Sequence, residues 1–311
     1  MARDPFDFLF VHVFETDHLS HEAWPAISDP GHPDRALLLE YFRELDEGIG
    51  RLIEACYQWE EPVVVLVSDH GFGRCTRRLL LNDWLVQEGL LTLQGGDGRP
   101  QAASWDRIDW TRTRAYAIQT GIYLNTKENH PAGTIDARDT TALSLEIVER
   151  LRHTLGPEVG ALRVAPRDAI APTVRPELAP DLVVHLESET CAMGYCELHG
   201  AVWAPSSGLT GYHRMDGILV MSGPGIRAGQ WLPPVHMVDC APTFLHLLEA
   251  DQTEGLEGRV LAEFLTTPAD SIAPRPAAGS MPAVEVDHVG ETGLDDVAEI
   301  TRRLAALGYM G

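Results

Sequence analysis

The chain has 311 residues, 24 Lys and Arg against 46 Asp and Glu, a formal charge of −22, and 44% hydrophobic residues. That balance belongs to a globular chain and excludes collagen-like, low-complexity and wholly disordered ones. The charge argues against a nucleic-acid polymer as partner, because phosphate backbones are bound through clustered Lys and Arg; a small phosphorylated substrate stays open, since a metal ion reverses the local field of an acidic protein.

From the N-terminus, Phe6 to Phe14 alternates aromatic and β-branched residues and reads as a buried strand. Pro33 to Tyr57 places Leu38, Tyr41, Phe42, Leu45, Ile49, Leu52, Ile53 and Cys56 on one face of an amphipathic helix. Pro62 to Ser68 is a continuous β-branched run of the kind found in parallel strands covered on both faces. Leu79 to Leu91 reads as a helix ended by Gly95 and Gly96. Ala115 to Ile118 and Ile122 to Leu124 read as strands, Ala137 to Leu155 as a helix, and Asp181 to Leu186 and Gly217 to Met221 as strands again. Val238 to Leu248 is helical in pattern, Pro268 to Pro282 a linker, and Asp295 to Leu307 a short docking helix.

This alternation predicts an α/β fold with a mostly parallel central sheet flanked by helices. The expected divisions are a first core part over 1–105, an inserted cap over 106–180, a second core part over 181–267, and a linker with C-terminal helix over 268–311. No apolar run reaches the roughly 18 to 20 residues that span a bilayer, so no membrane partner is expected. Five scattered cysteines without a C-x-x-C pair read as free thiols, and the chain as cytoplasmic. Oligomeric state leaves no readable mark.

Three segments carry chemistry. Asp69 and His70 follow the Pro62–Ser68 strand, where ligands collect in open α/β sheets. Neighbouring side chains on a strand point to opposite faces, so the two share a site only if the backbone breaks, which Gly71 and Gly73 permit; a plain strand-to-loop turn is the alternative. Asp17 and His21 are four residues apart and face one side of a helical turn, a spacing suited to one divalent ion. Asp17 as an N-cap with an exposed His21 is equally compatible. His213 lies in a third segment, Gly211 to Gly217, and gains weight because Zn²⁺ takes three protein ligands in catalytic sites. His12 and His18 are weaker candidates.

Taken in order, Phe14-Glu15-Thr16-Asp17, Ser68-Asp69-His70-Gly71 and His213-Arg214-x-Asp216-Gly217 resemble the alkaline phosphatase superfamily, in its type I phosphodiesterase/nucleotide pyrophosphatase branch. Ala179-Pro180-Asp181-Leu182, Ser222 to Ile226, Asp239-x-Ala241-Pro242-Thr243 and Gly258-Arg259-x-Leu261 support the likeness. The resemblance implies an alkaline-phosphatase-like fold and two divalent ions, Zn²⁺ or else Mn²⁺. Asp17, His21 and His213 would hold one; Asp69 and His70 would belong to the other. Arg214, beside a ligand, is a candidate phosphate contact or else a surface ion-pair residue.

The same resemblance implies a Thr or Ser nucleophile and a further Asp ligand on an earlier strand and helix start. Met1 to Phe14 offers neither, so an N-terminal portion is expected to be missing and the catalytic nucleophile to lie outside this chain. The expected activity is a two-metal phosphoric ester hydrolase of phosphodiesterase/nucleotide pyrophosphatase type. The alternatives are a metal-dependent phosphomutase of the same superfamily and a non-catalytic, metal-binding truncated product.

Overall fold

The computed structural model describes residues 6–58, 60–97, 99, 101–155, 161–167, 179–188, 190–206, 208–231, 233–250 and 256–266. The chain divides into two compact units, Met1–Gly223 and Pro224–Gly311. The expected linker at 268–282 and helix at 295–307 lie outside the described residues.

The first unit opens on α1 (Glu15–Ser28) and α2 (Arg35–Cys56). It continues through β1 (Val64–Val67), β2 (Gly71–Arg74), β3 (Arg77–Leu79), α3 (Leu81–Gln87) and β4 (Ala102–Ala103). Then follow β5 (Ala115–Ile118), β6 (Gly121–Leu124), α4 (Thr140–Thr154), β7 (Ala161–Pro166) and β8 (Leu182–Glu187). Five short strands complete it: β9 (Cys191–Met193), β10 (Leu198–His199), β11 (Trp203–Pro205), β12 (Gly211–Arg214) and β13 (Leu219–Ser222).

The elements are a mixture of α and β, but the expected mostly parallel central sheet is not what they build. The strands form several small sheets, β1–β13, β4–β10, β11–β3–β9, β2–β12 and β5–β6–β8–β7. Among the described pairs only β3 with β9 is parallel. The physical reason is that an apolar β-branched run reports burial and extension, not the direction of the neighbour. Val64–Val67 takes Leu219–Ser222 as an antiparallel partner, and Leu66 and Val67 keep about two fifths of their surface exposed.

The expected strand at Phe6 to Phe14 does not form either. The segment has no regular structure, and Phe8, Leu9, Phe10 and Val11 are exposed. A strand needs a neighbour for its backbone groups, and no described strand pairs with this segment. It passes instead into α1, where Asp17 N donates to Phe14 O at 3.1 Å.

The main core lies where α3 and α4 cover one face of the four-stranded sheet. Trp84, Leu85, Ile147 and Leu151 meet Ala115, Ala117, Ile122, Leu124, Leu182 and Val184, all buried. The alternation along β5, buried Ala115 and Ala117 against half-buried Tyr116 and Ile118, is the period of two that such a sheet requires. Two buried polar residues of α3 fasten this layer. The Asn82 amide donates to Ala117 O at 2.9 Å and accepts Ala117 N at 2.8 Å, while Asp83 accepts the amides of His199 and Gly200. The helix stops at Gln87 rather than running on to Leu91, because Gly89 adopts φ +70, a left-handed turn that glycine enters without strain.

In the second unit a short helix, α5 (Cys240–Leu247), follows a 3₁₀ turn at Met237–Asp239. Here two of the supporting motifs lock to each other. The buried Asp239 carboxylate accepts the amides of His236 and Arg259, and Thr243 Oγ1 accepts Leu261 N at 3.0 Å. A Cβ on Gly258 would stand 2.0 Å from Val238 O, so glycine is required for that approach. These motif residues build structure.

Candidate metal centre

The centre forms where the first turn of α1, the end of β1 and strand β12 meet. As the spacing predicts, Asp17 and His21 share one face of α1, with Asp17 Oδ2 3.7 Å from His21 Nε2. The depth of that contact comes from a proline. Pro25 has no N–H, so the helix cannot close a bond onto His21 O, and that carbonyl accepts Thr210 N at 2.7 Å instead. The helix bends at Ala23 (φ −115, ψ 23), and Thr210 Oγ1 accepts the Trp24 amide that the bend frees. Thr210 thus clamps α1 to the chain that enters β12.

Gly211 makes the approach possible, since a Cβ there would lie 2.1 Å from Ser20 O. Its own carbonyl sits 3.0 Å from His21 Nδ1. At the end of β1 the chain breaks between Val67 and Gly71, as the Asp69–His70 pair requires, and re-forms as β2. Gly71 and Gly73 lie within β2 rather than in a turn, and their missing Cβ atoms admit Asp216 O and the Arg214 side chain. β2 pairs antiparallel with β12, which sets His213 opposite Phe72.

The result is one cluster. Asp17 Oδ1 is 3.6 Å from His70 Nε2 and 3.3 Å from His213 Nε2, and these three ligand atoms lie within 4.8 Å of one another. His21 Nε2 stands 3.0 Å from His213 Nε2 on the side of the other carboxylate oxygen. The His70 and His213 rings stack at 3.7 Å, and Phe72 lies against His21, His70 and His213 as an apolar floor. Asp69 is at the rim: its side chain is 78% exposed, with Oδ2 3.4 Å from His70 Nε2.

The tautomers can be read from the partners. A carbonyl only accepts, so Nδ1–H of His21 donates to Gly211 O and Nδ1–H of His70 donates to Gly71 O. In its neutral form each ring then presents Nε2 toward Asp17, the arrangement in which a backbone carbonyl orients a metal-ligating imidazole. The donor set, one carboxylate and imidazole nitrogens, suits Zn²⁺. Without an ion the crowding disfavours charge: burial, then the neighbouring His70 and His21, depress His213 to a pKa of about 4, although Asp17 opposes them.

Arg214, the candidate phosphate contact or surface ion-pair residue, is anchored by backbone carbonyls. Its guanidinium donates to His213 O at 2.9 Å and to Arg74 O, tying β12 to β2. His12 packs edge-on and His18 tilted against Phe14, at 5.7 and 4.7 Å between ring centres, rather than joining the cluster of Asp17, His70 and His213. Sequence reasoning passed over Phe72, Thr210 and Gly211. The available signal was Pro25, four residues after a candidate ligand inside a helical pattern, which announces a carbonyl in need of an outside donor.

The family model for type I phosphodiesterase / nucleotide pyrophosphatase matches residues 1–212. No curated protein and no solved structure matches the chain.

Proposed function

The chain belongs to the type I phosphodiesterase/nucleotide pyrophosphatase family, within the alkaline phosphatase superfamily, and from that premise we propose that it is a metal-dependent phosphoric ester hydrolase acting on a small phosphorylated substrate. The observation that carries this reading is the convergence of Asp17, His21, His70 and His213, from three elements up to 196 positions apart in sequence, on one set of inward-facing donors. When bound there, a divalent ion draws charge from a phosphoryl oxygen and lowers the pKa of water, the two services that phosphate ester hydrolysis needs at neutral pH.

The chain's own residues do the rest. Asp17 offers two oxygens, one toward each side of the cluster, and His21 and His70 are held in the ligating tautomer by Gly211 and Gly71. Phe72 keeps water from the rear of the imidazoles. Zn²⁺ is the ion favoured by the nitrogen-rich set, with Mn²⁺ the alternative. The resemblance implies two ions, Asp69 standing with His70 for the second. The nucleophile is assigned to no residue of this sequence. The inserted region at 106–180 is where substrate choice would reside. All five cysteines are free thiols, which supports a cytoplasmic setting.

Hydrolysis of bis-p-nitrophenyl phosphate by the native protein tests the reading. Turnover supported by Zn²⁺ or Mn²⁺, abolished by chelator and lowered at least about 100-fold in Asp17→Asn is expected, since loss of a ligand exceeds the 10–100-fold cost of losing its outer partner. A metal-loaded protein inert toward phosphodiesters, phosphomonoesters and pyrophosphates would overturn it.

A further inference from the structure

We propose that the groove between α1 and α2 is a docking site for a cationic amphipathic helix of a partner protein, whose apolar residues enter the groove while its Lys and Arg meet a rim of carboxylates. The surface is separate from the metal centre, and the proposal holds whatever reaction that centre performs. At 3.6 residues per turn, Leu19 and Ala23 lie on the side of α1 away from Asp17 and His21.

Shape supplies the first argument. Two packed helices touch along one line and leave a furrow beside it. Here the furrow encloses about 450 Å³, with Leu19, Ala23 and Ala26 of α1 and Leu38 and Tyr41 of α2 as its floor. Ala23 and Ala26 contribute only methyl groups, so a third helix can come close. Leu37, also lining the furrow, keeps 72% of its surface in water, and Leu38 is the buried residue of the 22 in α2. An apolar furrow flanked by so exposed a leucine is the kind of surface that a helix lays its apolar face into. From Asp34 to Glu44 its lip runs for about 15 Å, close to three turns of a facing helix.

Charge selects the occupant. Asp34, Glu40 and Glu44 line the lip, and among the described residues no Lys or Arg does. Glu40 and Glu44 stand four apart on one face of α2, where like charges repel. Among the described residues the ion pair within α2 is Arg51–Glu47, at 4.0 Å, and it takes in neither. Arg35 is engaged with Ala26 O and Ile27 O at the end of α1. Burial, and then the Glu15 carboxylate, raise the Tyr41 hydroxyl above its ordinary pKa, so the negative field reaches the floor as well. A nucleic acid or an anionic bilayer would be repelled by that lip. A second copy, paired two-fold through the same face, would bring Glu40 and Glu44 against their own kind. A helix with leucines at 3.6-residue spacing and Lys or Arg on its flanks satisfies both the floor and the lip.

A fluorescein-labelled synthetic peptide of Leu and Lys in helical spacing is the probe, read by fluorescence anisotropy in about 0.15 M salt. A peptide of the same composition with its leucines scattered is the control for net charge. The helical peptide is expected to bind at least about tenfold more tightly than the scattered one. Leu37→Asn should weaken it by about tenfold, since one buried leucine is lost, and Glu40→Gln with Glu44→Gln by at least about threefold, with a smaller salt dependence. Glu128→Gln with Glu149→Gln removes the same charge from exposed positions elsewhere and should leave binding unchanged. Circular dichroism of each variant verifies the fold. Binding of neither peptide, equal binding of both, a loss in the Glu128 and Glu149 variant as large as in the Glu40 and Glu44 variant, or undiminished binding by a folded Leu37→Asn would each overturn the proposal. Neither turnover nor Zn²⁺ uptake enters the readout, so its failure and that of the hydrolase reading are told apart.

Discussion

At the scale of single residues, small hydrogen-bonding groups set the precision of the centre. Thr210 joins His21 O, Glu22 O and Trp24 N in one clamp. Thr210→Val keeps the shape and removes the hydroxyl, leaving the Trp24 amide without its acceptor. Unfolding in urea should register a loss of about 1–3 kcal/mol, with weaker Zn²⁺ binding; a variant as stable as wild type would show that the clamp is dispensable. Asp83 illustrates the opposite balance. Desolvation outweighs its two backbone amide partners and raises its pKa above the ordinary carboxylate value. A raised acid holds its proton more tightly folded than unfolded, so its contribution to stability grows as pH falls toward the carboxylate range and is lost as pH rises through the folded pKa. Relative to Asp83→Asn, wild type should therefore gain stability between neutral pH and about pH 4; a difference that shrinks on acidification would contradict this.

At the scale of elements, the sequence was most legible where a pattern is local. The helix expected over Pro33 to Tyr57 became α2, within two residues at its N-terminal end and one at its C-terminal end, because amphipathic period is a property of the segment itself. The strand at 115–118 likewise formed as its alternation indicates. Phe6 to Phe14 failed as a strand because pairing is not local; it depends on whether another strand lies alongside. The site elements are held by close backbone approach, and that makes another prediction. In Gly211→Ala the new Cβ would sit 2.1 Å from Ser20 O, and α1 must retreat from β12. A lower melting temperature and reduced Zn²⁺ affinity should appear together. Loss of stability with unchanged affinity would mean that the α1–β12 contact does not position the ligands.

At the scale of the whole molecule, a cation at this centre would bridge α1, the end of β1 and β12, so binding selects the folded chain. At a free Zn²⁺ concentration of 100 times Kd the stabilisation is about 2.7 kcal/mol. Calorimetry should show a melting temperature that rises with added Zn²⁺ and returns with chelator, and far less so in Asp17→Asn; an equal rise in that variant would place the ion elsewhere. The sequence by itself determined the chemical types at the centre, Asp17 and His21 at helical spacing, Asp69 and His70 after a strand, His213 before another, and through their order the family. It determined the helices and the positions of most strands, since side-chain periodicity is written residue by residue. Tertiary structure alone decided strand direction, because an apolar run pairs equally well with either neighbour. It also decided that His70 lies against Asp17 as well as against the exposed Asp69, for ligand grouping depends on where three distant segments come to rest against one another.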